Sequence, residues 1–520
     1  MFTSQLLSRF LGLLRQTVQA AMFGFGFHAA AYNIAITIPD MLFMLIAGGG
    51  LSSAFIPVFS ELLHTDREKE AWDLFGVVVT FCSIVAITLV GIAWAFAGPI
   101  GAYMGAGKES LPLILPEIVK LSRILLPAQF AFLIGSLLIA TLYARHRFLV
   151  PGFAPNIYNV GIILGALVGP AFGLGIAGMA WGALIGALIG NLLLPAVAML
   201  KTGGRFTPSL NLKTEGVGKF FRLLGPVVLG FSLPSMAQIV SQKFASPYSV
   251  GMNTVIYYSN TLMQAPSGIF GQSLALAVFP VLTQFFAQGR MDMYRSQVTK
   301  TMSTVVYLTV PAAVFLGVMA PQIVSLLYGY GQARSAADLD AVTACLRVYS
   351  VGVVAWSIQP ILMRGFFSLH KTLEPVLWST AMTALLIAML ALQGPHGPVH
   401  LPFAAAYLCI PWSTNVAAIL LVIILFIKLQ GTVGNLDLKS LLITGGKACA
   451  AGAVMGLAAF GMSLLFPEHL PKWQMAIATI AVILVSSWIY IWITMQFKMP
   501  ETNYVQKGVD KFKSKFGISS

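Results

Sequence analysis

Apolar residues in this 520-residue chain run in stretches of about twenty, parted by short polar links, and do not alternate. A bilayer hydrocarbon core about 30 Å thick takes roughly 20 apolar residues as helix. Fourteen such windows are centred near Leu13, Leu45, Ala86, Phe132, Ile163, Ile185, Ile239, Leu274, Val310, Val354, Ile387, Val416, Met455 and Leu484. A transmembrane β-barrel would show alternating segments of ~10 residues instead. The pattern predicts an all-α polytopic membrane protein with about 14 transmembrane helices. The first window lacks a basic start and carries Arg9 and Arg15 where a signal peptide needs its apolar core, so it reads as a retained helix.

The chain also repeats itself. AFIPVFSELL around Pro57 recurs as AVFPVLTQFF around Pro280, 223 residues later, and FAGPIGAYMGAG around Pro99 recurs as VMAPQIVSLLYGYG around Pro321, 222 later. ATLYARHRFLVPGF around Pro151 recurs as RGFFSLHKTLEPV around Pro375 at an offset of 224, which also separates Arg123 from Arg347. An offset of six helices is even, so both copies keep one orientation. That predicts two parallel-repeat six-helix lobes around a central cavity, with rocking of one lobe against the other as the route to alternating access. The expected division is an N-lobe over 1–205, a C-lobe over 206–430, a C-terminal helix pair over 431–497 and a basic cytoplasmic tail over 498–520.

Composition sharpens this picture without changing it: 58% of residues are hydrophobic and 9% charged, against about 25% charged in soluble domains. A net charge of +14 would point a soluble chain toward nucleic acid. Here the placement of the charges matters more than their sum, and no nucleic-acid partner is expected. One alternate set of inter-helix links, with the tail, holds 20 Lys and Arg; the opposite set holds only Lys108, Arg334 and Lys472. This asymmetry places both termini in the cytoplasm. In the tail, Val505, Val509, Phe512 and Phe516 recur at helical spacing among lysines, suiting either an interfacial helix on anionic membrane lipids or a plain tail. Cys82, Cys345, Cys409 and Cys449 stand singly in apolar segments and read as buried free thiols.

Eight basic residues lie in or beside the spans: Arg9, Arg15, Lys120, Arg123, Lys243, Arg347, Arg364 and Lys447. Only one acid, Asp40, is deep in a span. A cation at a helix centre costs about 2.5 to 3.5 kcal/mol on insertion scales, so such groups usually face a wet interior and serve function. A cation-rich interior has an anion as its natural guest. Ser8 and Arg15 are seven apart and share a helix face, whereas Arg9 points about 120° away from Arg15 and can snorkel to the interface. Lys243, on the first helix of the second lobe, is placed to answer Arg15 across the cavity. Asp40 is either part of the substrate site or a counter-ion for Arg9 or Arg15. Pro39, Gly48, Gly49 and Gly50 flank it and mark a helix able to bend, the expected hinge. Arg364 reads as an orientation anchor, Arg123 and Arg347 as interfacial.

Catalytic signatures are missing from the sequence. It contains no G-x-x-x-x-G-K-[ST] and no H-E-x-x-H, so no enzyme activity, metal or cofactor is expected. Transport would then draw on a gradient, on the membrane potential or on removal of product.

The segments SRFLGLLRQ, PDMLFMLIAGGGLSSAFIPVFSE, ARHRFLVPGFAPNIYNVG, LGPVVLGFSLPSMAQ and YYSNTLMQAPSGIFGQSLALAVFPVL resemble the MurJ/MviN family of lipid II flippases. That family belongs to the superfamily of multidrug, oligosaccharidyl-lipid and polysaccharide exporters. The resemblance covers nearly the whole chain and is weakest in the last two helices. It implies fourteen helices, a groove in the last pair for an isoprenoid tail, and residence in the bacterial cytoplasmic (inner) membrane. The implied function is passage of the undecaprenyl-diphosphate-linked peptidoglycan precursor, lipid II, to the outer leaflet. By the same resemblance, Ser8, Arg9 and Arg15 match the family's first-helix residues associated with the anionic headgroup. The chain departs from the family at Phe43 and Gly48, where charged residues are expected, and at Thr261 and Gln264, which replace an Arg and a Glu. Lys243 is then a candidate replacement charge. Competing readings are an exporter of another polyprenyl-diphosphate glycan, an exporter of drugs or organic cations, which would need more cavity acids than Asp40, and a non-transporting scaffold for cell-wall synthesis proteins.

Overall fold

The computed structural model describes residues 2–46, 50–65, 67–105, 111–232, 236–334, 336–395, 397–399, 402, 405–466 and 471–502. Within them the chain is helical, and no strand occurs among the described residues. The first half runs through α1 (Phe2–Phe23), α2 (Phe27–Ile46), α3 (Gly50–His64), α4 (Glu68–Ala95), α5 (Ala97–Met104), α6 (Leu111–Leu125), α7 (Ala128–Ala144), α8 (Leu149–Val168), α9 (Ala177–Ala187) and α10 (Leu194–Lys201). The second runs through α11 (Val217–Ser232), α12 (Met236–Ala245), α13 (Met252–Pro266), α14 (Ser273–Ala287), α15 (Met291–Val318), α16 (Ala320–Tyr328), α17 (Ala336–Ser368), α18 (Leu373–Gln393) and α19 (Cys409–Val433). Two further helices follow, α20 (Leu438–Ser463) and α21 (Lys472–Gln496).

Among the described residues, eleven helical segments are long and apolar enough to cross a membrane. They coincide with eleven of the fourteen windows. The windows near Leu13, Leu45 and Ile239 fall instead on the less apolar α1, on the pair α2 and α3, and on the pair α11 and α12. The duplication is visible in element boundaries: α4 and α15 are both 28 residues long and start 223 apart, and α8 and α18 start 224 apart. Even an unusual backbone conformation is copied. His146 and His370, 224 apart, are two of three non-glycine residues with positive φ among those described, at 56° and 60°. In each loop the next residue's N–H reaches back to close the preceding helix, Arg147 to the Leu142 carbonyl and Lys371 to that of Phe366.

The chain divides into two compact units, residues 1–257 with 328–338, and residues 258–327 with 339–520. In the first, Phe55, Phe59, Trp72, Phe75 and Phe220 form a core of edge-to-face and stacked rings where α3, α4 and α11 meet. Glycines let α8 and α9 approach backbone to backbone: a Cβ at Gly165 would stand 2.1 Å from the Gly178 carbonyl oxygen, and one at Gly182 2.2 Å from that of Gly161. Such small-residue seams suit helices packed in lipid, where no hydrophobic drive joins them. In the second unit, Tyr294, Val298, Met302, Leu362, Phe366 and Leu425 centre the core. Cys82, Cys345 and Cys409 are buried free thiols, whereas Cys449 is exposed.

Prolines inside the helices free the carbonyl four residues back, and hydroxyls from neighbouring helices take it up. Pro39 frees Ala35, to which Ser122 donates at 3.5 Å. Pro360 frees Trp356, bonded by Ser267 at 2.9 Å, and Pro311 frees Tyr307, bonded by the Tyr490 hydroxyl at 2.8 Å. Since lipid supplies no donors, these three carbonyls are satisfied by partner side chains.

Candidate functional site

The site is assembled in the first unit from α1, α2, α8 and the start of α13. Ser8 and Arg15 are half-buried on α1, while Arg9 is exposed. The α8 helix lies along α1: Ser4 donates to the Gly152 carbonyl, Asn156 Nδ2 donates to Ser4 Oγ at 3.3 Å, and Asn159 Nδ2 to the Ser8 carbonyl at 3.5 Å. This docking fixes the azimuth of α1 and with it the direction of Arg15.

Around Arg15 stand Asp40, Tyr32, Tyr158 and Tyr257, all within electrostatic reach. On α2, residues 29–39 are buried without interruption and Asp40 is exposed, so the run of burial ends at the carboxylate. Among the described residues, neither Arg15 nor Asp40 makes a hydrogen bond or a direct ion pair with a side chain. The two charges therefore share a space without closing on each other. Tyr32 is buried, and among the described residues its hydroxyl has no hydrogen-bond partner. Tyr158 joins an edge-to-face row with Phe132 at 5.0 Å, and Phe132 with Phe43 at 6.1 Å. Phe43, where the family resemblance leads one to expect a charge, thus extends an aromatic wall beside a single guanidinium.

Beyond Arg15 toward the C-terminal end of α1 lies a buried polar chain. Gln19 Nε2 donates to Asn33 Oδ1 at 3.1 Å, Asn33 Nδ2 to Thr254 Oγ1 at 3.1 Å, and Thr37 Oγ1 to Gln242 Oε1 at 2.9 Å. The Tyr328 hydroxyl donates to Gln16 Oε1 at 3.0 Å. This chain ties α1 and α2 to α12 and α13.

Lys243 lies elsewhere on α12, with its ammonium 3.0 Å from the centroid of the Tyr103 ring, a cation–π contact. Thr261 and Gln264 belong to the second unit, on α13; Thr261 is half-buried, and Gln264 is exposed and donates to Asn260 Oδ1 at 2.5 Å. Pro39 is buried inside α2 and Gly50 opens α3, while Gly48 and Gly49 lie outside the described residues, as do Val505, Val509, Phe512 and Phe516.

Tyr32 and Tyr158 were not singled out by the sequence, where each looks like one more aromatic in an apolar run. The signal that could have found the polar chain is the i, i+4 pair Asn33 and Thr37, polar groups on one face of a span.

A family model described as lipid II flippase MurJ matches residues 19–493. The chain belongs to the MurJ family. A probable lipid II flippase MurJ of Vibrio cholerae is 27% identical over 468 residues, covering 86% of this chain and 85% of that protein. The lipid II flippase MurJ of Burkholderia cenocepacia is 27% identical over 398 residues, covering 74% and 75%. A solved structure of lipid II flippase MurJ in an inward closed conformation superposes with a TM-score of 0.76 at 21% identity, over 95% of this chain and 98% of that one. An inward-facing multidrug resistance MATE transporter of the MOP superfamily gives 0.69 at 14% identity, over 82% and 95%. These structures share the fold. Membership of the MurJ family together with the apolar helices makes this a multi-pass inner-membrane protein.

Proposed function

We propose that this chain carries lipid II from the cytoplasmic to the outer leaflet by alternating access, with Arg15 as the group that takes the diphosphate. The observation that carries this reading is the setting of Arg15: a guanidinium within electrostatic reach of Asp40 and Tyr32, with no side-chain hydrogen bond or direct ion pair among the described residues. Arg presents its N–H groups in a planar fork that matches phosphate oxygens two at a time. The Phe43–Phe132–Tyr158 wall suits the apolar neighbour of such a headgroup. Ser8 on the same face of α1 completes the proposed contacts in the first unit. Arg9 serves the interface, and Lys243 is a reserve charge held on Tyr103. Pro39 inside α2 and Gly50 at the start of α3 supply the bend.

Asp40 gives the cycle its return stroke. With cargo bound, Arg15 neutralises part of the diphosphate; without it, Asp40 neutralises Arg15, so the empty site carries no net charge back. With both termini in the cytoplasm, as the distribution of Lys and Arg supports, an inside-negative potential favours outward passage of uncompensated negative charge. That is worth about 2.3 kcal/mol per charge for each 100 mV. The lobes at 1–205 and 206–430 would rock about the site, and cell-wall synthesis enzymes would consume the cargo outside.

The test is replacement: this chain expressed in cells depleted of their own flippase, with outer-leaflet lipid II measured by an impermeant probe. Restored exposure is expected. Normal abundance in the membrane with no exposure of lipid II would reject the reading in favour of a scaffold.

A further inference from the structure

The second unit holds a cavity of about 650 Å³ beside the N-terminal half of α15, bounded by residues at the start of α20 and by Pro500 and Glu501. Its α15 wall presents Ser296, Thr299 and Ser303, three and four residues apart and so on one helix face. Arg295 and Lys300 flank them.

The internal repeat explains why space is left there. Moved by 223 residues, the hydroxyl row falls on Asp73, Gly76 and Thr80 of α4. There the link over 202–216 lies down on the helix. A Cβ at Gly76 would stand 2.3 Å from the Thr207 carbonyl oxygen, Ser209 N–H donates to Thr80 Oγ1 at 3.3 Å, and the rings of Phe206 and Phe75 meet at 6.2 Å. In the second half the matching link spans only 434–437. It is too short to cover the helix, and the same face is hydroxylated and open.

The charges on the wall are not equivalent. Arg295 is tied to Asp292 and donates to the Val433 carbonyl at 3.1 Å, and Asp437 caps α20 by accepting from Ser440 N–H at 2.9 Å. Glu501 differs: only 7% of it is exposed, Thr444 Oγ1 donates to its Oε1 at 3.4 Å, and among the described residues its Oε2 has no donor. A carboxylate oxygen shut from water without a donor is costly. A simple anion in the cavity would leave Glu501 unmatched, and a simple cation would share the space with the ammonium of Lys300. A ligand with both ends charged matches both. Depth supports a lipid source. The 28 residues of α15 span about 42 Å at 1.5 Å each, against a hydrocarbon core of about 30 Å. Its first turns therefore stand among headgroups.

We propose that this cavity binds the zwitterionic aminophosphate headgroup of an ethanolamine phospholipid. Its phosphodiester sits on the hydroxyls of Ser296, Thr299 and Ser303 beside Lys300, and its primary ammonium donates to Glu501. The choline headgroup has the same charges but no N–H, so it separates this contact from mere size and charge. The experiment uses the full chain in phosphatidylglycerol nanodiscs containing either phosphatidylethanolamine or phosphatidylcholine, with retained lipid counted by native mass spectrometry. Ethanolamine lipid is expected to be held about tenfold over choline lipid, the ratio one charge-assisted hydrogen bond supports. Glu501→Gln should abolish the preference, Glu501→Asp should keep part of it, and Thr299→Val should weaken both lipids alike. Equal retention of the two lipids, a preference that survives Glu501→Gln, or equal loss in the Gln and Asp variants overturns the proposal. So does binding of water-soluble glycerophosphoethanolamine as tight as that of the lipid, which would make the ligand a soluble molecule.

Discussion

Replacing Arg15 by Ala separates two roles that the structure brings together, holding the cargo's diphosphate and balancing Asp40. Because Arg15 makes no side-chain hydrogen bond or direct ion pair among the described residues, its full donor set is available to a ligand and no competing bond is lost on binding. A hydrogen bond involving a charged group contributes about 1.5–3 kcal/mol. A fork engaging two phosphate oxygens should therefore supply about 3 kcal/mol, or roughly a 150-fold change in affinity. Lysine at the same place keeps the charge but loses the fork, so Arg15→Lys should lie between, within roughly tenfold of the unaltered protein. The assay is titration of purified protein with a short-chain lipid II analogue, alongside thermal midpoints of each variant. The paired variant Arg15→Ala/Asp40→Asn removes both charges. If Arg15 serves the cargo, the pair stays as weak a binder as Arg15→Ala while any loss of thermal stability is recovered. Affinity for the analogue within threefold of normal in Arg15→Ala, or affinity restored along with stability in the paired variant, would reduce Arg15 to a structural partner of Asp40.

Tyr490→Phe strands the Tyr307 carbonyl that Pro311 leaves open; a loss of about 1–3 kcal/mol is expected, read as a lower thermal midpoint in detergent, with Phe packing otherwise unchanged. Gly165→Ala places a methyl 2.1 Å from the Gly178 carbonyl oxygen, so α8 and α9 must part by more than an ångström; a cost of at least about 1–3 kcal/mol and increased protease cleavage between them are expected. At the surface, the hydrogen bond from Arg67 holds the exposed Glu215 carboxyl below its ordinary range. A depressed acid contributes stability above its unfolded pKa of about 4.3 and loses it as pH falls through the folded value. Glu215→Gln should lower the thermal midpoint slightly at neutral pH and converge on the unaltered protein as pH falls through the lowered folded value, below about 4.3, and a difference that grows on acidification would contradict the assignment.

Length and polarity of the spans were plain in the sequence because the bilayer reads those quantities directly. The window near Leu13 falls on α1, the least apolar of the fourteen, because Arg9 and Arg15 dilute its signal. The repeat was legible at Pro57, Pro99 and Pro151, and its loops proved alike down to the φ of His146 and His370, a detail that hydropathy does not encode. The neighbours of Arg15 were legible only in part. Asp40 stood out as an intramembrane acid, but Tyr32 and Tyr158 became visible as site groups only once α2 and α8 were folded against α1. The open face of α15 depends on the length of a link elsewhere in the chain, 434–437 against 202–216, and no window around Thr299 alone contains that information.

The amides beside Arg15 are the least expected feature of an apolar interior, since leucines could fill the same volume between α1, α2, α12 and α13. Their bonds are weak by the standard of their setting. Side-chain hydrogen bonds between membrane helices average about 0.6 kcal/mol, because separated helices find other partners. The three bonds Gln19 to Asn33, Asn33 to Thr254 and Thr37 to Gln242 then hold these helices together by only about 2 kcal/mol. That is close to the roughly 2.3 kcal/mol that a single charge gains in crossing 100 mV. An aliphatic seam would offer no such match, since it would have to be pulled apart over its whole area at once. A row of amides and hydroxyls keeps one arrangement specific, through the directions of its donors and acceptors, while leaving its release within reach of the uncompensated negative charge of the bound cargo.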